Sequence, residues 1–239
     1  MKVSIVIPAY NEEKTLAQTI EAALAQDYHN YEVIVIDNAS KDRTSEVASH
    51  YNVKIFHEPK KGLLHARERG RNEASGQIIA NMDADCIPDP TWLSRGMKHF
   101  IDDHSGRVSA VTGPYDYHDA EWFFRHGSLL VQRYIYRPVA YTLQLPFIKN
   151  GAVLIGGNNM IRVSVLKKTG GYNTALTFYG EDTDTAKRVA DHGRVIFDPK
   201  LSMKTSARRF ENEGFIKIEA KYLYYFFKTI FSPKKSSGN

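Results

Sequence analysis

The stretch Asn81-Met-Asp-Ala-Asp-Cys86 sets two carboxylates two residues apart, directly after an apolar run, Ile78-Ile79-Ala80, that reads as a buried strand. In an extended chain residues i and i+2 point to one side. Asp83 and Asp85 would then face a single spot, with Ala84 turned away. Two like charges held together are costly unless something positive joins them. The pair therefore reads either as a seat for a cation or as a solvated turn or helix cap before "PDPTW". Three other short stretches carry suitable groups: Pro8-Ala9-Tyr10-Asn11-Glu12, Asp37-Asn38, and Glu181-Asp182. Each also has a plain structural reading. Asp37 suits a turn cap, and acids at a helix start are favoured by the helix dipole whatever their role.

Positioning such groups requires a frame, and residues 1–113 supply one. Apolar runs at 3–7, 32–37, 53–57, 77–82 and 108–113 read as strands. Between them, 12–26, 42–51, 63–75 and 91–103 carry apolar residues at helical spacing, the first helix capped by Asn11. Alternating strands and helices, with strands apolar throughout, predict an α/β fold: a mostly parallel, Rossmann-like sheet covered by helices on both faces. In open sheets of this kind ligands bind beyond the carboxyl ends of the strands. The ends at Pro8–Glu12, Asp37 and Asp83–Asp85 would share that rim. The second half is less regular. It predicts a helix over 118–137, an apolar loop over 138–150, a short helix stopped by Gly170-Gly171, a helix over 181–192, a strand over 194–198 and an aromatic helix over 211–231. Asp182, Ala186 and Val189 share one face of the 181–192 helix, which should turn inward and leave Asp184 solvated. The chain reads as one domain over 1–231: a regular half (1–113), an elaborated half (114–210) and the aromatic, basic helix (211–231). A flexible tail occupies 232–239.

Composition narrows the classes. The chain has 239 residues, 42% hydrophobic and 25% charged, and a net charge of +5, which is ordinary for a globular domain with an anionic ligand. No zinc-ligand spacing or ribonucleoprotein aromatic motif is present, so no nucleic-acid partner is expected. Cys86 is the single cysteine, which excludes an internal disulfide and suits a reducing, cytoplasmic setting. The N-terminal apolar run ends at Pro8, too short for a signal peptide. The turn after the first strand, "PAYNEE", lacks the glycines of a dinucleotide fingerprint or a P-loop. A phosphate ligand would need another source of positive charge, and a divalent cation (Mn2+ or Mg2+) on Asp83 and Asp85 would supply it.

Taken in order, "VSIVIPAYNEEKTL", "VIVIDNASKDRT", "KGLLHARERGRNEASG", "DADC" and "GEDTD" resemble the inverting family 2 glycosyltransferases of GT-A fold, over about residues 1–200. The resemblance implies that Pro8, Ala9, Tyr10 and Glu12 line a nucleotide pocket, with Glu12 near the ribose. Asp37 would read the base edge, favouring uridine. Arg67 would reach the base or diphosphate, unless it only pairs with Glu68 or Glu73. Asp83 and Ala84 would approach the donor, Asp85 would be the main metal ligand and Asp83 a second. Asp182 would be the catalytic base with Glu181 beside it. "SARRF" (206–210) resembles a shortened arginine motif, with Arg209 on the diphosphate. It lacks the glutamine and tryptophan of processive enzymes, which favours single-sugar transfer.

The expected partners are a nucleotide-sugar donor and a glycan or lipid-linked acceptor. The helix over 211–231 alternates aromatic residues with Lys217, Lys221 and Lys228, which suits a membrane surface on the inner face of the membrane, or packing on the domain's own core or in a homodimer. Two other functions compete: a nucleotidyltransferase, which would release pyrophosphate, and an inactive nucleotide-sugar-binding module.

Overall fold

The computed structural model describes residues 1–146, 148, 151–176 and 179–232. The first half keeps the expected alternation. Its elements are β1 (Val3–Ala9), α1 (Leu16–Leu24), β2 (Tyr31–Asp37), α2 (Thr44–Ser49), β3 (Lys54–His57), α3 (Leu63–Glu73), β4 (Ile78–Met82), β5 (Ile87–Pro88), α4 (Trp92–Ile101) and β6 (Val108–Thr112). The second half has β7 (Tyr115–Tyr117), α5 (Trp122–Val131), a π-helical turn (Gln132–Tyr136), α6 (Arg137–Leu143), β8 (Asn158–Arg162) and α7 (Val163–Lys168). It closes with α8 (Glu181–Ala190), β9 (Arg194–Phe197), β10 (Met203–Thr205), α9 (Arg208–Glu213) and α10 (Phe215–Phe231).

The main sheet has the order β3-β2-β1-β4-β8-β6-β9, and β8 alone runs antiparallel to its neighbours. From β1 the chain steps outward to β2 and β3, then crosses back to lay β4 on the other side of β1. That reversal opens a crevice at the carboxyl ends of β1 and β4, the usual ligand site of such sheets. Strand residues alternate between two apolar layers. Ile5, Ile7, Val33, Val35 and Ile78 pack with Leu16 and Ile20 of α1 and Trp92, Leu93 and Met97 of α4. Val6, Ile34, Ile36 and Ile79 face Leu64 and Ala66 of α3 and Ala186 and Val189 of α8. A three-stranded sheet, β5-β10-β7, lies beside the carboxyl-end rim and joins β5 of the first half to β7 and β10 of the second.

Several expectations change. β8 and β10 do not stand out in the sequence; "NNMIR" is a buried strand whose asparagines are satisfied internally. Asn81 donates to Asn159 Oδ1 (2.7 Å), and Trp92 Nε1 donates to Asn158 Oδ1 (2.8 Å). Asn11 does not cap α1, which begins at Leu16; it sits at φ 55° with its side chain on the Lys41 amide (2.8 Å). Residues 137–143 are helix rather than loop: Pro138 falls in the first turn after the π-helical residues, where its missing N–H costs least. Phe147, Lys149 and Asn150 of the expected loop, and 233–239 of the expected tail, lie outside the described residues. The last helix is two, α9 and α10, divided at Gly214 (φ 85°).

The opposite, amino-end rim is tied by Glu32. It accepts from Ser4 Oγ (2.6 Å), from the amide (2.9 Å) and Oγ (2.7 Å) of Ser75, and from Lys54 Nζ (2.7 Å). Burial alone would raise its pKa, but Lys54, Ser4 and Ser75 outweigh that and bring it from 4.5 down to about 2. A depressed carboxylate stabilises the fold fully above its unfolded pKa and loses that contribution as pH falls through the folded value. Glu32→Gln should therefore cost about 1.5–3 kcal/mol in urea unfolding at pH 7. The gap between variant and wild type should close as pH drops from 4.5 toward about 2. A gap independent of pH would show that the charge does not matter.

Candidate active site

Arg67 lies on the inward face of α3 with Leu64, Ala66 and Gly70. Gly70 lets α3 press onto β1: a Cβ there would come within 2.3 Å of Val6. The close approach buries Arg67, which is 4% exposed. Its guanidinium spans two acids, with Nη2 donating to Asp83 Oδ1 and Nη1 to Asp182 Oδ1, both at 3.2 Å. Burial pulls its pKa down, but Asp83, Asp182 and Glu181 more than compensate and hold it charged. Arg67 thus positions acids, while Glu68 pairs with Arg71 (2.9 Å) and Glu73 with Arg69 (2.9 Å).

Asp83 comes directly after the last residue of β4, where the chain turns: the Cys86 amide donates to the Asp83 carbonyl at 3.0 Å. The aspartates are therefore brought together by a turn and not by an extended strand. Asp83 also accepts from Tyr115 Oη (3.0 Å) on β7. Asp85 looks toward the other wall, with Thr205 Oγ1 at 3.3 Å and Arg208 Nη2 at 3.3 Å; Arg208 also pairs with Glu12. Burial, then the Asp83 charge, pushes the Asp85 carboxyl up to about 6, although Arg208 pulls the other way. Ala84 is buried between them, its carbonyl accepting from Thr19 Oγ1 (2.9 Å). Cys86 is a buried free thiol whose pKa burial raises, and so an inert packing group.

Asp182 opens α8. It accepts from Arg67 and, through Oδ2, from the Gly156 amide (3.0 Å). Burial raises its pKa and that of Glu181 beside it, and Arg67 offsets part of the rise in both. The loop into β8 needs its two glycines. A Cβ on Gly156 would fall 2.4 Å from Asp182 Oδ1, and one on Gly157 would fall 2.2 Å from Asp83 Cγ. Ala186 and Val189 face inward as expected. Asp184 is not simply solvated; it accepts from Arg188 Nε at 2.8 Å.

On the β1–β2 side, Pro8 and Ala9 end β1, Pro8 lying past the last β1–β4 pair, Val6–Asn81. Lys61 Nζ sits over the Tyr10 ring, 3.9 Å from its centroid. Asp37 ends β2 and is buried. Oδ1 caps the Ser40 amide (3.1 Å) and Oδ2 meets His57 Nδ1 (3.2 Å), so the capping reading holds as geometry. Ala39, next to this pair, is held at φ 59°, a conformation that is costly for a residue with a Cβ. Arg209 is not in the acid cluster. It donates to Tyr179 Oη (2.9 Å), stacks over the Tyr179 ring (5.0 Å) and pairs with Glu213 (3.4 Å). The first arginine of "ARRF", Arg208, takes the place at Asp85. Tyr115, Thr205, Gly156 and Gly157 also belong to the site and were not singled out from sequence; the GG pair before NN was the one signal available.

Against known proteins, the description "Glycosyl transferase family 2" matches residues 4–170. The chain belongs to this family. It is 29% identical over 199 residues to the glycosyltransferase AglE of Haloferax volcanii, covering 80% of this chain and 62% of that protein. It is 45% identical over 103 residues to the dolichol-phosphate mannosyltransferase of Pyrococcus furiosus, covering 40% of this chain and 29% of that protein. The chain thus spans less than two thirds of each of these family 2 relatives. The mannosyltransferase PcManGT of Pyrobaculum calidifontis, solved with GDP-Man and Mn2+, has the same fold (TM-score 0.73, 22% identity, 98% of this chain and 65% of that one). So does the glucosyl-3-phosphoglycerate synthase of Mycobacterium tuberculosis, solved with Mn2+, UDP-glucose and phosphoglyceric acid (TM-score 0.62, 21% identity, 100% and 82%). This family 2 chain therefore has the GT-A fold expected from its sequence.

Calorimetry with manganese and a nucleoside diphosphate separates the two arginines. Arg208→Ala should weaken binding more than Arg209→Ala; the reverse order would put Arg209 on the diphosphate.

Proposed function

We propose that this chain transfers a single sugar, with inversion, from a nucleoside-diphosphate donor to an acceptor hydroxyl or a lipid-linked acceptor, in a reaction that depends on a divalent cation. The observation that carries this reading is the shared guanidinium. Arg67 holds an acid from the end of β4 and an acid from the start of α8 at the same spot. A donor lying between the strand ends and α8 would meet one acid at its diphosphate side and the other at its sugar.

The corner at Asp83 and Asp85 fits Mn2+ or Mg2+. It offers two hard carboxylates, and Asp85 keeps a raised pKa even with Arg208 beside it. Among the described residues no group of three or more His, Cys, Asp or Glu is assembled. Further coordination would come from diphosphate oxygens and water, as is usual for such ions. Bound there, the ion would offset the charge that builds on the leaving diphosphate. The two Mn2+ complexes of the same fold support it. Pro8, Ala9, Tyr10, Glu12 and Asp37 line the β1–β2 side where a nucleotide would lie, and Arg208 adds a positive charge at the diphosphate. A UDP-sugar is the favoured donor, although the solved neighbours include both UDP-glucose and GDP-Man.

Asp182 acts as the general base. The acceptor oxygen bonds to the anomeric carbon as that carbon's bond to the diphosphate oxygen breaks. The acceptor proton passes to the Asp182 carboxylate, and the electron pair leaves with the nucleoside diphosphate. Attack opposite the leaving group inverts the centre. A raised carboxyl pKa suits this role, since it brings the base nearer to neutrality. The absence from "SARRF" of the glutamine and tryptophan of processive enzymes supports transfer of one sugar per encounter.

Contact with a membrane is the second part of the reading. No described helix is long and apolar enough to cross a membrane. α10 docks on the domain through buried Ile218 and Ile230, and Lys187 Nζ caps its end by donating to the Ile230 carbonyl (2.8 Å). Its other face leaves Leu223, Tyr224, Phe227 and Phe231 exposed, and α5 likewise exposes Trp122 and Phe123. Lys217 and Lys228 lie on α10, and Arg133 and Arg137 on the π-helical turn and α6 that continue from α5. Aromatic residues mixed with basic ones suit an anionic lipid surface, as at the inner face of a membrane.

Asp182→Asn should bind donor normally and lose turnover by about 10²–10⁴-fold. Normal turnover would remove Asp182 from the role, and release of pyrophosphate would indicate nucleotidyl transfer instead. On flotation with phosphatidylserine vesicles at low salt the protein should rise with the lipid; protein that stays in the soluble fraction would exclude the membrane contact.

A further inference from the structure

A cavity of about 740 Å³ runs between α5, the π-helical turn and α10 and ends at Asp182. The size is that of a ligand site, roughly 300–1,000 Å³. Its outer mouth is formed by Phe123, Ile135, Leu223 and Phe227, each more than half exposed. Farther in, Leu154 and Ile155 line it, directly before Gly156, whose amide holds Asp182. Among the described lining residues Asp182 is the one charged side chain. The neighbouring cations are already paired: Arg67 with Asp83 and Asp182, and Arg209 with Glu213 and Tyr179, its guanidinium 6.0 Å from the ring of the lining Tyr222. The Gln132 amide, a polar group on the wall, is spent on the Tyr115 backbone, accepting at 2.8 Å and donating at 3.0 Å.

We infer that the acceptor is an amphiphile with a neutral hydroxyl head, its apolar chain lying in this cavity and its hydroxyl meeting Asp182. The inference rests on the glycosyl-transfer reading above and narrows its acceptor. A free sugar would lose its water against walls that offer few hydrogen bonds. A lipid phosphate would place its charge against the Asp182 carboxylate with no lining cation to pair it. A hydroxyl carries no charge into the cavity and needs the base that stands at its end.

Saturation-transfer NMR on the full chain tests this with three probes, each below its micellar concentration: decyl β-glucoside, decyl phosphate and methyl β-glucoside. Gly127→Trp supplies the plug. Gly127 lines the cavity, a Cβ there meets nothing within 4 Å, and α5 buries none of its residues, so the variant should fold. Its melting temperature checks that. Decyl β-glucoside should bind through its chain and should bind the plugged variant about tenfold more weakly. Methyl β-glucoside should not bind, and decyl phosphate should bind at least about tenfold more weakly than the glucoside. Equal or tighter binding of the phosphate would overturn the neutral head. Indifference to Gly127→Trp, or equal binding of the methyl glycoside, would overturn the cavity as the chain's site. Nucleoside-diphosphate binding with manganese is measured on the same samples. Its absence would defeat the glycosyl-transfer reading whatever the amphiphiles do, and its presence alongside a failed amphiphile result would defeat the acceptor inference alone.

Discussion

The guanidinium of Arg67 joins Asp83, directly after β4 in the first half, to Asp182, in the first turn of α8 in the second. Neither acid would sit comfortably without it. Both are partly screened from water, with 34% and 35% of their side chains exposed, and burial raises the pKa of Asp182 even with the arginine present. Removing either acid would leave the buried Arg67 charge under-compensated, which is costly. The arrangement also fixes where backbone must come close. Gly70 brings α3 against β1, and Gly156 and Gly157 leave room for two carboxylates where any Cβ would collide.

Stability and chemistry occupy opposite rims of the main sheet. Glu32 ties β1, β2, β3 and the α3–β4 connection at the amino ends of the strands, with a carboxylate kept ionised by its donors. At the carboxyl ends the carboxylates of Asp85, Glu181 and Asp182 are pushed the other way by burial. A rim that gathers destabilised acids gains from a cationic ligand complex, and that is the physical basis for placing a metal and a diphosphate there. The second half then adds an apolar wall beside Asp182, of contrasting character to the charged rim at the strand ends.

The parallel half of the fold was legible because its strands are uniformly apolar and its helices regularly spaced, so β1 to β4 and the rim at Pro8, Asp37 and Asp83 could be placed from local pattern. β8 escaped notice because its asparagines read as polar loop, and only tertiary partners such as Trp92 and Asn81 make "NNMIR" a buried strand. The pairing of Asp83 with Asp182 through Arg67 depends on helix packing, and no local spacing records it; Glu68 and Glu73 were equally plausible partners. The same limit explains Arg208 and Arg209. Adjacent in sequence, they point to different surroundings, and which one meets Asp85 is decided by the helix they begin.

Anomalous diffraction from crystals soaked with manganese and a nucleotide sugar bears most directly on the whole scheme. It should show a manganese peak against Asp85, bridged to the diphosphate, with the anomeric carbon on the side of Asp182. A nucleotide bound away from the β1–β4 crevice, or a manganese ion bound away from Asp83 and Asp85, would contradict it.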